Sequence, residues 1–152
     1  MNEVTNFKLA VESFRDWAGL VTDTSKEWEV DYPDWSWIYT CVKNMLMIPF
    51  SKWDDATYSN LLYMLARDNE NENILDILVS KHPDLVIYLA KCYFDWPDYE
   101  ARWQIAYALG RIAIDKQVLK ELLDNFLRDE HAYVRQRAFN VYRDKFEKDD
   151  TQ

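Results

Sequence analysis

The chain has 152 residues, 49% of them apolar, which suits one domain with a substantial core and excludes an intrinsically disordered segment. Two Gly and four Pro are too few for the tight turns of a β-rich fold, and two Gly exclude a phosphate-cradling Gly-rich loop. The formal charge of −9 is uneven: residues 1–76 carry 14 acidic and 6 basic side chains, residues 77–152 carry 13 and 12. That field opposes direct binding of nucleic acid, whose affinity comes from cations neutralising phosphates, and favours a basic protein partner.

Taken in chain order, the first amphipathic pattern covers about residues 3–18, with Phe7, Ala10, Val11, Phe14, Trp17 and Ala18 on one stripe and Gly19 as its stop. A polar connection follows over 22–33. Further helices are predicted at about 34–48, 54–67, 71–81, 84–94, 98–113, 116–127 and 131–146, with a frayed tail over 147–152. Pro33-Asp34, Pro83-Asp84 and Pro97-Asp98 mark three of the starts, because Pro costs no hydrogen bond there and Asp accepts from free N–H groups. The short links imply antiparallel neighbours, and no segment alternates as a strand would. The expected architecture is all-α, one domain over 1–152 of about eight helices, less regular over 1–50.

Residues Ala101–Gly110 align with Val134–Arg143 at an offset of 33, sharing a small apolar residue, then Arg, then an apolar residue three positions on. A period in this range marks stacked helix pairs. The stretch Ala101-Arg102-Trp103-Gln104-Ile105-Ala106-Tyr107-Ala108-Leu109-Gly110 resembles the second helix of short bacterial HEAT repeats, Val-Arg-x-x-Ala-x-x-Ala-Leu-Gly, over about residues 84–146. The resemblance implies a right-handed α-solenoid, with an Asp six residues before the Arg helping to ladder neighbouring repeats. Asp129 stands so to Arg135, whereas Trp96 stands there before Arg102. Arg102 and Arg135 are therefore expected either to pair with Asp between repeats or to line, with Arg111, Arg137 and Arg143, a concave surface for an anionic ligand.

No catalytic constellation emerges. His82 and His131 lack partners at ligand spacing, and the carboxylate pairs Asp54-Asp55 and Asp149-Asp150 fit capping and solvation. Cys41 and Cys92 fall in apolar patterns and are expected to be buried, reduced thiols. No cofactor or metal is expected. Without a leader pattern or a long apolar run, cytoplasmic residence is expected.

Two stretches mix carboxylates with aromatic rings, the combination suited to gripping Lys and Arg on a partner. The first offers Glu27, Trp28, Glu29, Asp31, Tyr32, Asp34 and Trp35; the second offers Asp95, Trp96 and Asp98. The alternative is that these rings pack inward, and Trp35 and Trp37 cannot both do so from one helix. The expectation is a non-catalytic protein-binding module, monomeric or weakly dimeric when free. In being small and acidic it is similar to bacterial immunity proteins, which implies neutralisation of a basic toxin domain such as a nuclease. The alternatives are a HEAT-like scaffold of a larger assembly and a HEAT-type lyase or DNA-glycosylase-like enzyme, the last requiring a basic concave face round a lone carboxylate.

Overall fold

A computed structural model describes residues 2–147. Among the described residues eight α-helices run α1 Glu3–Ala18, α2 Trp35–Met45, α3 Asp55–Arg67, α4 Asn73–Lys81, α5 Pro83–Cys92, α6 Tyr99–Leu109, α7 Lys116–Leu127 and α8 Ala132–Tyr142. Among the described residues there is no strand, and no helix is long and apolar enough to cross a membrane. The chain comprises two compact units, Met1–Ile74 and Leu75–Gln152. The helix predicted at about 131–146 ends as α8 at Tyr142 and passes into a π-helical turn, Arg143–Glu147; residues 148–152 of the expected frayed tail, with Asp149 and Asp150, lie outside the described part.

In the first unit α1 packs on α2 and α3. Asn2 caps α1 by accepting from the Thr5 N–H at 2.8 Å, and the predicted stripe residues Phe7, Ala10, Val11 and Phe14 are all buried. Asp54 does the same for α3, taking both the N–H and the hydroxyl of Thr57, and these bonds hold its carboxyl below the usual range. The long connection before α2 is not structureless. It contains a 3-10 turn, Trp28–Asp31, tied down by aromatic packing.

The Pro-Asp signals work in two different registers. Pro83 is itself the first helical residue of α5, with His82 at the cap position, whereas Asp98 caps α6 and accepts from the Glu100 N–H at 3.0 Å. Asp34 occupies the cap position of α2 without a side-chain bond.

In the second unit α6 is the central element, packing against α5, α7 and α8. Every side chain from Ala101 to Ala106 is buried, so its apolar stripe widens almost to a full circle. The 33-residue recurrence holds at the level of atoms. Helices α6 and α8 are both 11 residues long, and each begins one residue after a side-chain cap, Asp98 or His131. Arg102 donates through Nη1 to the Trp96 carbonyl at 2.7 Å, and Arg135 donates through Nη1 to the Asp129 carbonyl at 2.7 Å. The position six before each Arg thus contributes its backbone oxygen, for which a Trp serves as well as an Asp.

The Asp129 carboxylate performs a separate task. It takes Arg102 bidentately, from Nε at 2.8 Å and from Nη2 at 3.0 Å, with both side chains 5% exposed. These bonds raise the Arg102 pKa and keep the guanidinium charged despite its burial. Arg135, by contrast, is exposed.

Removing one partner from a buried pair leaves an uncompensated charge. Arg102→Ala is expected to lower unfolding free energy by about 3–5 kcal/mol, against about 1 kcal/mol for Arg135→Ala, as read by urea unfolding. Equal losses would show that the buried pair is not what joins α6 to the turn before α8.

Candidate functional site: an acidic cleft in the first unit

Packing decides which aromatic residues remain available for contact. Tyr32 and Trp35 are not surface groups: they are only 4% and 8% exposed. Their rings close on Phe14, at centroid distances of 4.9 and 5.5 Å. The Tyr32 hydroxyl bonds Ser13 Oγ at 3.2 Å, and the Trp35 indole N–H donates to the Glu29 carbonyl at 2.8 Å. Both therefore anchor the 3-10 turn, a correction to their expected place on a contact surface. Two residues along α2, Trp37 is 42% exposed, because positions i and i+2 of a helix face different ways.

Trp28 lies between these extremes. It is half-buried and stacks on Trp17 at 5.8 Å with the planes 22° apart. Glu29 is engaged by Arg67 at 3.4 Å, so it is not a free carboxylate either. Arg15 sits over the Tyr63 ring at 3.8 Å. Asp34 is exposed at the start of α2.

The residues left outward define a cleft of about 560 Å³, walled by Asp23, Glu27, Trp28, Asp31, Glu70 and Asn71. Among the described residues Lys26 is its one cationic wall residue. Asp23 is kept below the usual carboxylate range by bonds from the Ser25 hydroxyl at 2.6 Å and the Ser25 N–H at 3.0 Å. Of the site residues named from sequence, the structure brings together Glu27, Trp28 and Asp31. Asp23, Glu70 and Asn71 join them unforeseen: Asp23 and Glu70 fall in links between the predicted helices, and Asn71 falls at the start of the helix predicted from 71.

Asp68 shapes that link. Buried at 2% exposure, it accepts from the Ile74 N–H at 2.8 Å at the start of α4 and from the Tyr39 hydroxyl at 2.7 Å. The intervening chain is forced through Glu72 at a φ of 54°, in the left-handed region. Burial pushes the Asp68 carboxyl up to about 6, and nearby Glu72 adds to that rise, while the donors from Ile74, Tyr39 and Asn73 oppose it. The Tyr39 phenol is raised too, first by its own burial and then by Asp68.

The second acidic-aromatic stretch belongs to the other compact unit and serves its fold. The Trp96 carbonyl holds Arg102, Asp98 caps α6, and Asp95 is exposed. Cys92 is exposed at the end of α5, correcting its expected burial, while Cys41 is buried and its thiol is pushed up by burial. His131 caps α8 through Nδ1, which accepts from the Tyr133 N–H at 3.1 Å, and its ring stacks on Tyr99 at 3.8 Å. Among the described residues no three metal-ligating side chains converge. No family model, no curated protein and no solved structure matches the chain.

The Asp68 carboxyl has a defined pH signature. Its folded pKa, about 6, lies above the ordinary 3.8, so the protonated form is the one the fold favours. Its contribution is fully present below about pH 4 and is lost as pH rises through 6. Asp68→Asn is therefore expected to gain about 2–3 kcal/mol relative to the native chain between pH 4 and pH 7. Denaturant midpoints across that range measure it; a pH-independent difference would mean that Asp68 ionises as freely folded as unfolded.

Proposed function

We propose that this protein is a non-catalytic binding module that recognises a basic protein, with the acidic cleft of the first unit as the contact. The observation that carries this reading is the cleft's composition: four carboxylates, from Asp23, Glu27, Asp31 and Glu70, beside a half-exposed Trp28 and a single Lys. The net of −8 over residues 1–76 would steer a cationic surface toward it. A Lys or Arg side chain entering the cleft would meet carboxylates at its head and the Trp28 ring along its stem. Because Trp28 is already stacked on Trp17, little conformational entropy would be lost on contact.

In its most concrete form the proposal is an immunity- or antitoxin-like protein that neutralises a basic toxin domain, possession of nuclease activity being the version best matched by phosphate-mimicking carboxylates. The second unit supplies the scaffold in this reading. We take it as HEAT-like helix pairs stacked in a right-handed solenoid, supported by the 33-residue recurrence of cap, arginine and carbonyl. A second reading, a scaffold within a larger endogenous assembly, is favoured by Leu20 and Met47, each 82% exposed. Recovery of a stable endogenous complex from the native host would favour it over a toxin partner.

The module reading is tested by titrating the chain against a panel of basic nucleases at low and high salt. Binding to at least one, weakened by salt, is expected. Trp28→Ala should weaken that binding about 30-fold or more, in the range of an interface hot spot. The double change E27Q and D31N should mainly slow association and flatten the salt dependence. Failure of every nuclease to bind, or binding indifferent to salt, removes the proposal.

A further inference from the structure

The second unit carries a cleft of its own, of about 410 Å³, where α6 and α8 end. Its walls include Tyr107, Arg111, Arg137, Arg143, Asp144 and Lys145. Among the described residues four cations thus face one carboxylate, in a chain of net charge −9.

Helix ends attract cations in general, and that accounts for part of the arrangement. Arg111, Arg143 and Lys145 all follow the last residues of α6 or α8, where carbonyls are left without intrahelical partners. Arg111 is also held by Asp76 at 2.8 Å. Neither explanation reaches Arg137, which lies in the middle of α8. Its half-buried guanidinium sits over the rings of Tyr107 at 4.3 Å and Trp103 at 4.7 Å, with Tyr133 at 5.8 Å. Stacking fixes the plane of a guanidinium and leaves its N–H edges free to donate. Among the described residues no carboxylate pairs with Arg137 or Arg143. Arg143 and Lys145 belong to the π-helical turn that follows α8.

We propose that this cleft binds the phosphoryl group of a small molecule. A phosphate dianion offers three strong acceptor oxygens and close to two charges, enough to engage Arg137, Arg143 and Lys145 together. A single carboxylate offers two oxygens and one charge, and leaves part of the set unmatched. The cleft's volume is that of a small-ligand site, and the strongly negative chain opposes a long polyanion. Arg137, with its plane held by Tyr107 and Trp103, is the fixed donor; Arg143 and Lys145 close on the ligand from the turn.

Isothermal titration calorimetry of the full chain tests this with inorganic pyrophosphate and phosphoserine as probes and succinate as the carboxylate comparison. Saturable one-to-one binding of at least one phosphoryl probe is expected, tighter than succinate. Arg137→Gln and Arg143→Gln should each weaken it at least about tenfold. Lys120→Gln, which removes an exposed charge on α7 outside the cleft, should leave it unchanged. Arg143 is exposed, so its variant keeps the test decisive if Arg137→Gln loses its thermal transition by circular dichroism. The proposal is overturned if neither phosphoryl probe saturates, if succinate binds as tightly, or if Lys120→Gln weakens binding as much as the arginine variants do.

Discussion

The buried pair of Arg102 and Asp129 fixes the geometry of the second unit. Drawing two charges out of water is costly, and the cost is met only when every donor finds an acceptor. Here Nε and Nη2 go to the Asp129 carboxylate and Nη1 goes to the Trp96 carbonyl. The same Asp129 oxygen that binds Nη2 also accepts from the His131 N–H at 2.8 Å. One carboxylate therefore ties the first turns of α6 to the turn that launches α8. With their starts registered and their lengths equal, the two helices end together, and their flanking arginines meet at that end. Gly110 permits the closeness: a Cβ there would lie 3.0 Å from both γ-carbons of Val141.

The first unit is held by rings rather than by a charge pair. Phe14 is its hub, with Trp17, Tyr32, Trp35 and Tyr63 all within 6.0 Å by ring centroid. Edge-on and tilted contacts of this kind add to the area each ring buries. Because Tyr32 and Trp35 follow the 3-10 turn and are drawn inward, the turn is pinned against α1 and α2. Glu27, Asp31 and Asp34, before and between them, are left outward, whereas Glu29 turns in to Arg67. Packing of the aromatic half of the segment is thus what presents its acidic half to solvent.

Much of this was legible in sequence, for a physical reason that also marks the limit. Helical period, caps and the offset between Arg102 and Arg135 are local or strictly repeated, so the stripe of α1 and the bounds of α7 read directly from residue spacing. The departure at Trp96 likewise has a local cause: the residue 33 before Arg102 is Asn69, so no earlier arginine calls for a carboxylate there. What spacing does not encode is which side chains from distant segments converge. Glu70 and Asn71 reach the acidic cleft from a link some forty residues beyond Trp28, and the burial of Asp68 depends on Tyr39. The aromatic-acidic run 27–37 misleads in part because composition is the same whether a ring is core or contact; only the phase of each residue on its turn or helix separates Tyr32 and Trp35 from Trp28 and Trp37.

Net charge misleads in a related way. A total of −1 over residues 77–152 sums cations and carboxylates that sit far apart, and screening confines each to its own neighbourhood, about 8 Å at physiological salt. The Arg102–Asp129 pair cancels itself inside the protein, one cation against one carboxylate, so the remaining charges set the surface. The register that this pair imposes then gathers Arg137, Arg143 and Lys145 round one cleft, with Asp144 as their only acidic neighbour among the described residues of its walls. Long-range attraction and short-range chemistry can therefore have opposite signs in one chain. On the proposed reading the acidic surplus would steer an approaching basic surface, while a few fixed cations would select what fits among them. Local clustering of a few side chains, rather than the total, is what sets a cationic cleft in so acidic a protein.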